Sequence, residues 1–240
     1  MSIRNPDTFD RDSLVKLARI SEHCERYEDT VEFIKALARK AGELTIEEIN
    51  LLSLPYMCLI NQRKTSIRII DSVLKKSENK ENLDILTSYK QNIKEEIIFW
   101  CEDQITLISW LLEFINNEDP RCLTYKMLKA HRYRDLIEVE NGDRKESFLI
   151  KAKENYTEWS NLANSLCPTH SQKLGMALNL ASFYYEIEGN RAAALEVLNQ
   201  TIISAEEEIS RPLGLIYSDT ASTLKILKDT YNSFNSEETI

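Results

Sequence analysis

Apolar residues recur along this chain at three- and four-residue steps, the spacing that gathers them on one face of an α-helix. Leu14, Leu17, Ile20 and Cys24 predict a short amphipathic helix over 13–25. After Arg26 and Tyr27, the run Val31, Ile34, Leu37, Ala38 and Ala41 carries a second helix to Gly42, a residue suited to a left-handed helix end. Thr45-Ile46-Glu47-Glu48 reads as a capping box, in which hydroxyl and carboxylate satisfy the free N–H groups at a helix start. The long helix it opens carries Leu52, Leu59, Ile60, Ile67, Ile70 and Leu74. Pro55 lies inside it, where the missing N–H and the ring predict a bend, and residues 77–80 read as its stop.

The same periodicity continues over 83–115, 122–140, 146–166, 172–187, 191–209 and 213–234, separated by short polar links such as Asn141-Gly142-Asp143 and Pro168-Thr169-His170. Nine helices with links this short favour antiparallel neighbours. No linker is long enough to mark a second domain, so the expectation is one helical domain over 1–234 and a short tail, 235–240. The 191–195 segment looks like the small-residue start of a tetratricopeptide helix, but a 34-residue period does not recur.

Composition narrows the class. The 240 residues include only 5 Gly and 5 Pro, well below the roughly 7% and 5% of ordinary proteins. Sheet turns, dinucleotide folds and phosphate-cradling loops all need glycine where the backbone turns sharply or approaches a ligand. All-α is therefore the predicted class. Apolar residues make up 42%, enough for a substantial core, yet no run approaches the roughly 18 needed to cross a bilayer. The polar start, 1–12, has no secretory apolar region. The expected location is the cytoplasm, with the nucleus open as well, and membrane insertion is not expected. Cys24, Cys58, Cys101, Cys122 and Cys167 are widely spaced and read as small buried hydrophobes. The net charge of -9 repels nucleic-acid phosphates, so nucleic acid is not an expected partner and any anion site must be local.

Catalytic chemistry finds little support in the sequence. His23, His131 and His170 never fall within one helical turn of each other, so metal-ligand spacing is absent, and no metal or other cofactor is implied. The Glu206-Glu207-Glu208 run reads as a solvated helix face. The predicted class is non-catalytic. A more informative pattern is Met57, Asn61, Lys64 and Arg68, which share one face of the third helix and form a basic stripe on an acidic protein. A second basic set follows in Lys126, Lys129, Arg132 and Arg134, of which the two arginines cannot face the same way. If Lys64 and Arg134 converged, their fixed charges would suit a dianionic phosphate.

Several blocks resemble the 14-3-3 family, in the family's order and over nearly the whole chain. They are Glu25-Arg26-Tyr27-Glu28-Asp29, Asn50-Leu51-Leu52-Ser53 with Tyr56, and Tyr133-Arg134 with Leu136 and Glu138-Val139. Pro168-Thr169-His170, Leu174-Gly175-Met176-Ala177-Leu178-Asn179 and Phe183-Tyr184-Tyr185-Glu186-Ile187 complete the set. The resemblance implies a nine-helix, cup-shaped subunit, normally dimeric, that binds phosphoserine or phosphothreonine peptides in an extended groove.

Carried over by position, the resemblance implies phosphate binding by Lys64, Arg68 and Arg134. It implies a peptide groove of Met57, Asp135, Gly175, Leu178, Asn179, Glu186, Ile226, Leu227 and Thr230. The family's phosphate pocket of a Lys, two Arg and a Tyr reads Met57, Lys64, Arg134 and Asp135 here. One cation and one hydroxyl are thus lost, a carboxylate is gained, and lysine lacks the bidentate fork of arginine. Arg63 and Arg68 are placed to compensate. Thr230 and Phe234 stand where the family has a second Asn and a Trp. For the dimer, the resemblance implies an Arg26 to Glu96 pair, an Asp29 to Asn92 position where an ion pair is lost, and apolar contact by Ile20, Cys24 and Tyr89. Two functions follow: a phosphopeptide-binding adaptor acting as a homodimer or heterodimer, or a divergent scaffold with weakened or phosphate-independent peptide binding.

Overall fold

A computed structural model describes residues 5–76, 80–116, 118–211 and 218–236. The chain divides into two compact units between Lys151 and Ala152. In the first, a 3₁₀ turn, Pro6–Thr8, precedes α1 (Arg11–His23), α2 (Tyr27–Ala41), α3 (Ile46–Leu74), α4 (Lys80–Leu112) and α5 (Arg121–Val139). The boundary falls within α6 (Gly142–Asn164). The second unit holds α7 (Ser171–Ser182), a π-helical turn at Phe183–Ile187, α8 (Arg191–Ser210) and α9 (Thr220–Ser236). Among the described residues there are nine α-helices and no strand, as the periodicity predicts. The expected stop at 77–79 and the expected helix start over 213–217 lie outside the described residues.

Local chemistry sets the ends. Asp10 caps α1 by accepting from the Ser13 N–H at 2.7 Å. Thr45 and Glu48 form the predicted capping box of α3, and Gly42 ends α2 at φ 69. Glu48 is buried there because Arg11 holds both its carboxylate oxygens at 2.7 Å. Pro55 sits inside α3 without ending it. The segment expected as one helix over 172–187 changes character at Phe183, where the Glu188 N–H reaches back five residues to the Phe183 carbonyl at 3.3 Å. Gly189, at φ 65, then allows the chain to turn into α8.

The core of the first unit gathers Leu14, Ile34, Leu37, Leu52 and Ile108, all but fully buried, with Tyr56 among them. The Tyr56 hydroxyl of α3 donates to Asp103 of α4 at 2.5 Å, and Lys35 of α2 reaches the other Asp103 oxygen at 2.7 Å. One carboxylate therefore ties three helices. The core of the second unit joins Leu174, Leu198, Leu224 and Leu227, and Tyr185 stacks on Phe234 at 3.9 Å. Arg191 donates to the Phe234 carbonyl at 2.7 Å and to that of Asn235 at 2.5 Å, satisfying groups that the end of α9 leaves open. Of the five cysteines, Cys101 and Cys122 are buried as expected. Against the expectation, Cys58 and Cys167 are half-buried, and Cys24, the residue that ends α1, is exposed.

Burial pushes the Cys101 thiol and the Tyr125 hydroxyl well above their ordinary values. Burial and then the Asp103 charge do the same to Tyr56. The folded chain thus keeps protons that the unfolded chain releases from about pH 8.5 for Cys and about pH 10 for Tyr. The unfolded state binds fewer protons there, so stability falls as pH rises. Thermal melts followed by circular dichroism should show Tm dropping progressively as pH rises above about 8. Tyr56→Phe should lower Tm at neutral pH and make the drop above pH 10 shallower; an unchanged slope would exclude Tyr56 as a source.

Candidate functional site

Lys64 on α3 and Asp135 on α5 meet across the first unit, with the Lys64 Nζ 2.6 Å from Asp135 Oδ1. Their side chains are only 13% and 14% exposed. Glu138, one turn further along α5, approaches the same ammonium at 2.5 Å. The second Asp135 oxygen lies 3.2 Å from Nη2 of Arg132, whose side chain is 8% exposed. Arg132, Asp135 and Glu138 follow one another at three-residue steps and so share a face of α5. Burial works against the charge on Lys64, but Asp135 and Glu138 outweigh it and hold the ammonium above the usual lysine range. Two Arg132 donors, Nε and Nη1, are buried without a hydrogen-bond partner.

The other expected phosphate residues stand differently. Arg68 is exposed one turn beyond Lys64 and makes no hydrogen bond or ion pair among the described residues. Arg134 is half-buried on α5 and has a partner of its own. Met57 is exposed on α3 and brings no charge. Arg132 was visible in the sequence only as a member of a basic set. The signal that singles it out is Asp135, a carboxylate three residues later on the same helix.

In the second unit, Asn179 of α7 donates its Nδ2 to the Gly175 carbonyl one turn earlier at 2.9 Å. Leu178 is half-buried against the unit's core, and Glu186 is exposed on the π-helical turn. Ile226 and Thr230, four residues apart on α9, share a face that is exposed to half-buried. Leu227, expected on the groove wall, is fully buried with Leu174 and Leu198. The inward face of α9 runs through Thr220, Leu224, Leu227 and Phe234, so Leu227 packs the core rather than facing a ligand.

At the turn between α1 and α2, Arg26 pairs with Asp29 in the same chain. Glu96 of α4 accepts from Arg63 Nε at 2.9 Å, and Glu28 lies 3.3 Å from the same guanidinium. Both partners of the expected Arg26 to Glu96 pair thus have counter-charges within one subunit. Ile20, Cys24, Tyr89 and Asn92 are exposed. Among the described residues no group of His, Cys, Asp or Glu could hold a metal, and no helix is long and apolar enough to cross a membrane.

Comparison with known proteins agrees over almost the full length. The family model described as 14-3-3 protein matches residues 17–235. The chain is 33% identical to the checkpoint signal transducer rad24 of Schizosaccharomyces pombe, over 96% of this chain and 87% of that protein. It is 32% identical to 14-3-3 protein 7 of Solanum lycopersicum, over 95% and 92%. Protein BMH2 of Saccharomyces cerevisiae is 33% identical, over 95% and 85%.

The difference in burial between the two carboxylates at Lys64 has a measurable consequence. Asp135→Ala leaves the buried Arg132 without its counter-charge and should cost about 3 kcal/mol. Glu138 is 56% exposed, and Glu138→Ala should cost less than about 1 kcal/mol. Urea denaturation of both variants checks this, and equal losses would contradict the burial argument.

Proposed function

Because the chain belongs to the 14-3-3 family, whose members are non-catalytic adaptors that bind phosphorylated client proteins and form dimers, we propose that its own ligands are phosphoserine or phosphothreonine segments. In this reading Lys64, Arg68 and Arg134 of the first unit receive the phosphate. Within the second unit taken by itself, the family resemblance assigns Asn179, with Gly175, Leu178, Glu186, Ile226 and Thr230, to contact with a peptide main chain. The observation that carries the reading is Arg68, an exposed arginine without a counter-charge among the described residues, one turn from Lys64 on the same helix face. An incoming phosphate gains a guanidinium there without first breaking an ion pair.

Lys64 is a weaker asset, since a phosphate must compete with Asp135 and Glu138 for it. Charge-assisted hydrogen bonds are each worth roughly 1.5–3 kcal/mol. Binding about a hundredfold weaker than a seat with every cation free is the expectation. Those ion pairs also favour the second reading, a 14-3-3 scaffold that takes peptides with little regard to phosphate. For assembly, exposed Ile20, Cys24 and Tyr89 supply the apolar part of a subunit contact, in a homodimer or with another 14-3-3 chain, and the cytoplasm or nucleus is the proposed location.

Isothermal titration with a panel of phosphoserine peptides, each beside its unphosphorylated twin, tests the proposal. The phosphorylated members should bind at least about tenfold more tightly, and Arg68→Ala should remove most of that preference. Equal affinity for both twins across the panel rejects phosphate-dependent binding. Asn179→Ala should weaken both twins alike, because a main-chain contact does not depend on the phosphate.

A further inference from the structure

We infer that the phosphate seat of the first unit is already filled by the chain's own Asp135 carboxylate, and that Arg132, rather than Arg134 two residues on and facing apart from it, is the α5 arginine of that seat. The inference deepens the reading above and rests on it. One oxygen of Asp135 meets Lys64 at 2.6 Å and the other meets Arg132 at 3.2 Å. Two cations, one from α3 and one from α5, are therefore spaced to be bridged by two oxygens on a single central atom. A phosphate monoester offers the same bite, with a third oxygen besides.

Arg132 supplies the second observation. A guanidinium carries five N–H donors, and here Nε and Nη1 are buried with nothing to receive them. Buried donors left unpaired lose their hydration with nothing in return, so the carboxylate is an incomplete occupant. An anion with more acceptor sites and a second negative charge satisfies more of that guanidinium than Asp135 does. The cluster as it stands behaves as a plug: its positive charges are real but spoken for, and the ligand enters by turning Asp135 aside. The ligand class is a phosphate monoester on a peptide, since the plug itself already supplies what a simple carboxylate would.

The test uses the full chain and the same peptide panel, titrated against wild type, Asp135→Asn, Glu138→Gln and the double variant Asp135→Asn/Arg132→Met, with thermal melts to verify folding. Asp135→Asn should raise affinity for the phosphorylated members by about tenfold or more and leave their twins within about twofold. Glu138→Gln should give a smaller gain, and adding Arg132→Met should cancel the gain of Asp135→Asn. If Asp135→Asn is poorly folded, Glu138→Gln decides, because that side chain is exposed: no gain there overturns the plug.

Phosphate discrimination in wild type with no gain in the variants overturns the plug and keeps the adaptor. Discrimination that appears only once Asp135 is neutralised supports the plug and removes phosphate dependence from the native chain. A lack of discrimination in every variant overturns both, and retention of the gain in the double variant removes Arg132 from the seat.

Discussion

A cation removed from water must be given a counter-charge, and that requirement shapes this protein more than any other. An ion in a low-dielectric site costs several kcal/mol unless a partner and hydrogen bonds replace its hydration. Lys64 and Arg132 are both largely buried, and Asp135 lies between them with one oxygen towards each. The converse holds for buried carboxylates: Arg11 supplies the counter-charge of Glu48, and Lys35 that of Asp103, with the Tyr56 hydroxyl as a further donor. What distinguishes the Lys64 cluster is its place on the face where the family resemblance puts phosphate.

Most of the fold was legible because helices announce themselves locally. The capping box at Thr45, the left-handed Gly42 and the three- and four-residue spacing each describe a few consecutive residues, and the structure keeps them. The π-helical turn at Phe183 was not legible, since adding one residue to a helical turn leaves the apolar spacing nearly unchanged. The site was harder. Lys64 and Asp135 lie 71 residues apart, and no local pattern says which way Asp135 turns. The resemblance identified the position of the carboxylate but not its partner. That Arg132 and Arg134 face apart was readable from spacing alone, whereas the burial of Arg132 depends on how α5 packs.

The subunit-contact residues illustrate the same limit. Arg26 and Glu96 have the chemistry to pair between two chains, yet each has found a nearer partner in Asp29 and Arg63. Exposed ion pairs contribute only about 0–1 kcal/mol, and exchanging one partner for another contributes less. In the proposed subunit contact, association would be decided by apolar residues such as Ile20 and Tyr89, and the charges would act chiefly on which partner is accepted.

Asp103 has a bearing on motion. By fastening Lys35, Tyr56 and its own helix to one point, it makes α2, α3 and α4 respond as a block. The backbone of α3 is consequently anchored two turns before Lys64, and in the proposed reading an incoming anion would be met by side-chain rotation on the nanosecond scale rather than by helix displacement on the microsecond scale. If the proposed seat exchanges its carboxylate for a phosphate, the exchange would be set by electrostatic competition and diffusion, not by the tempo of a rearranging scaffold.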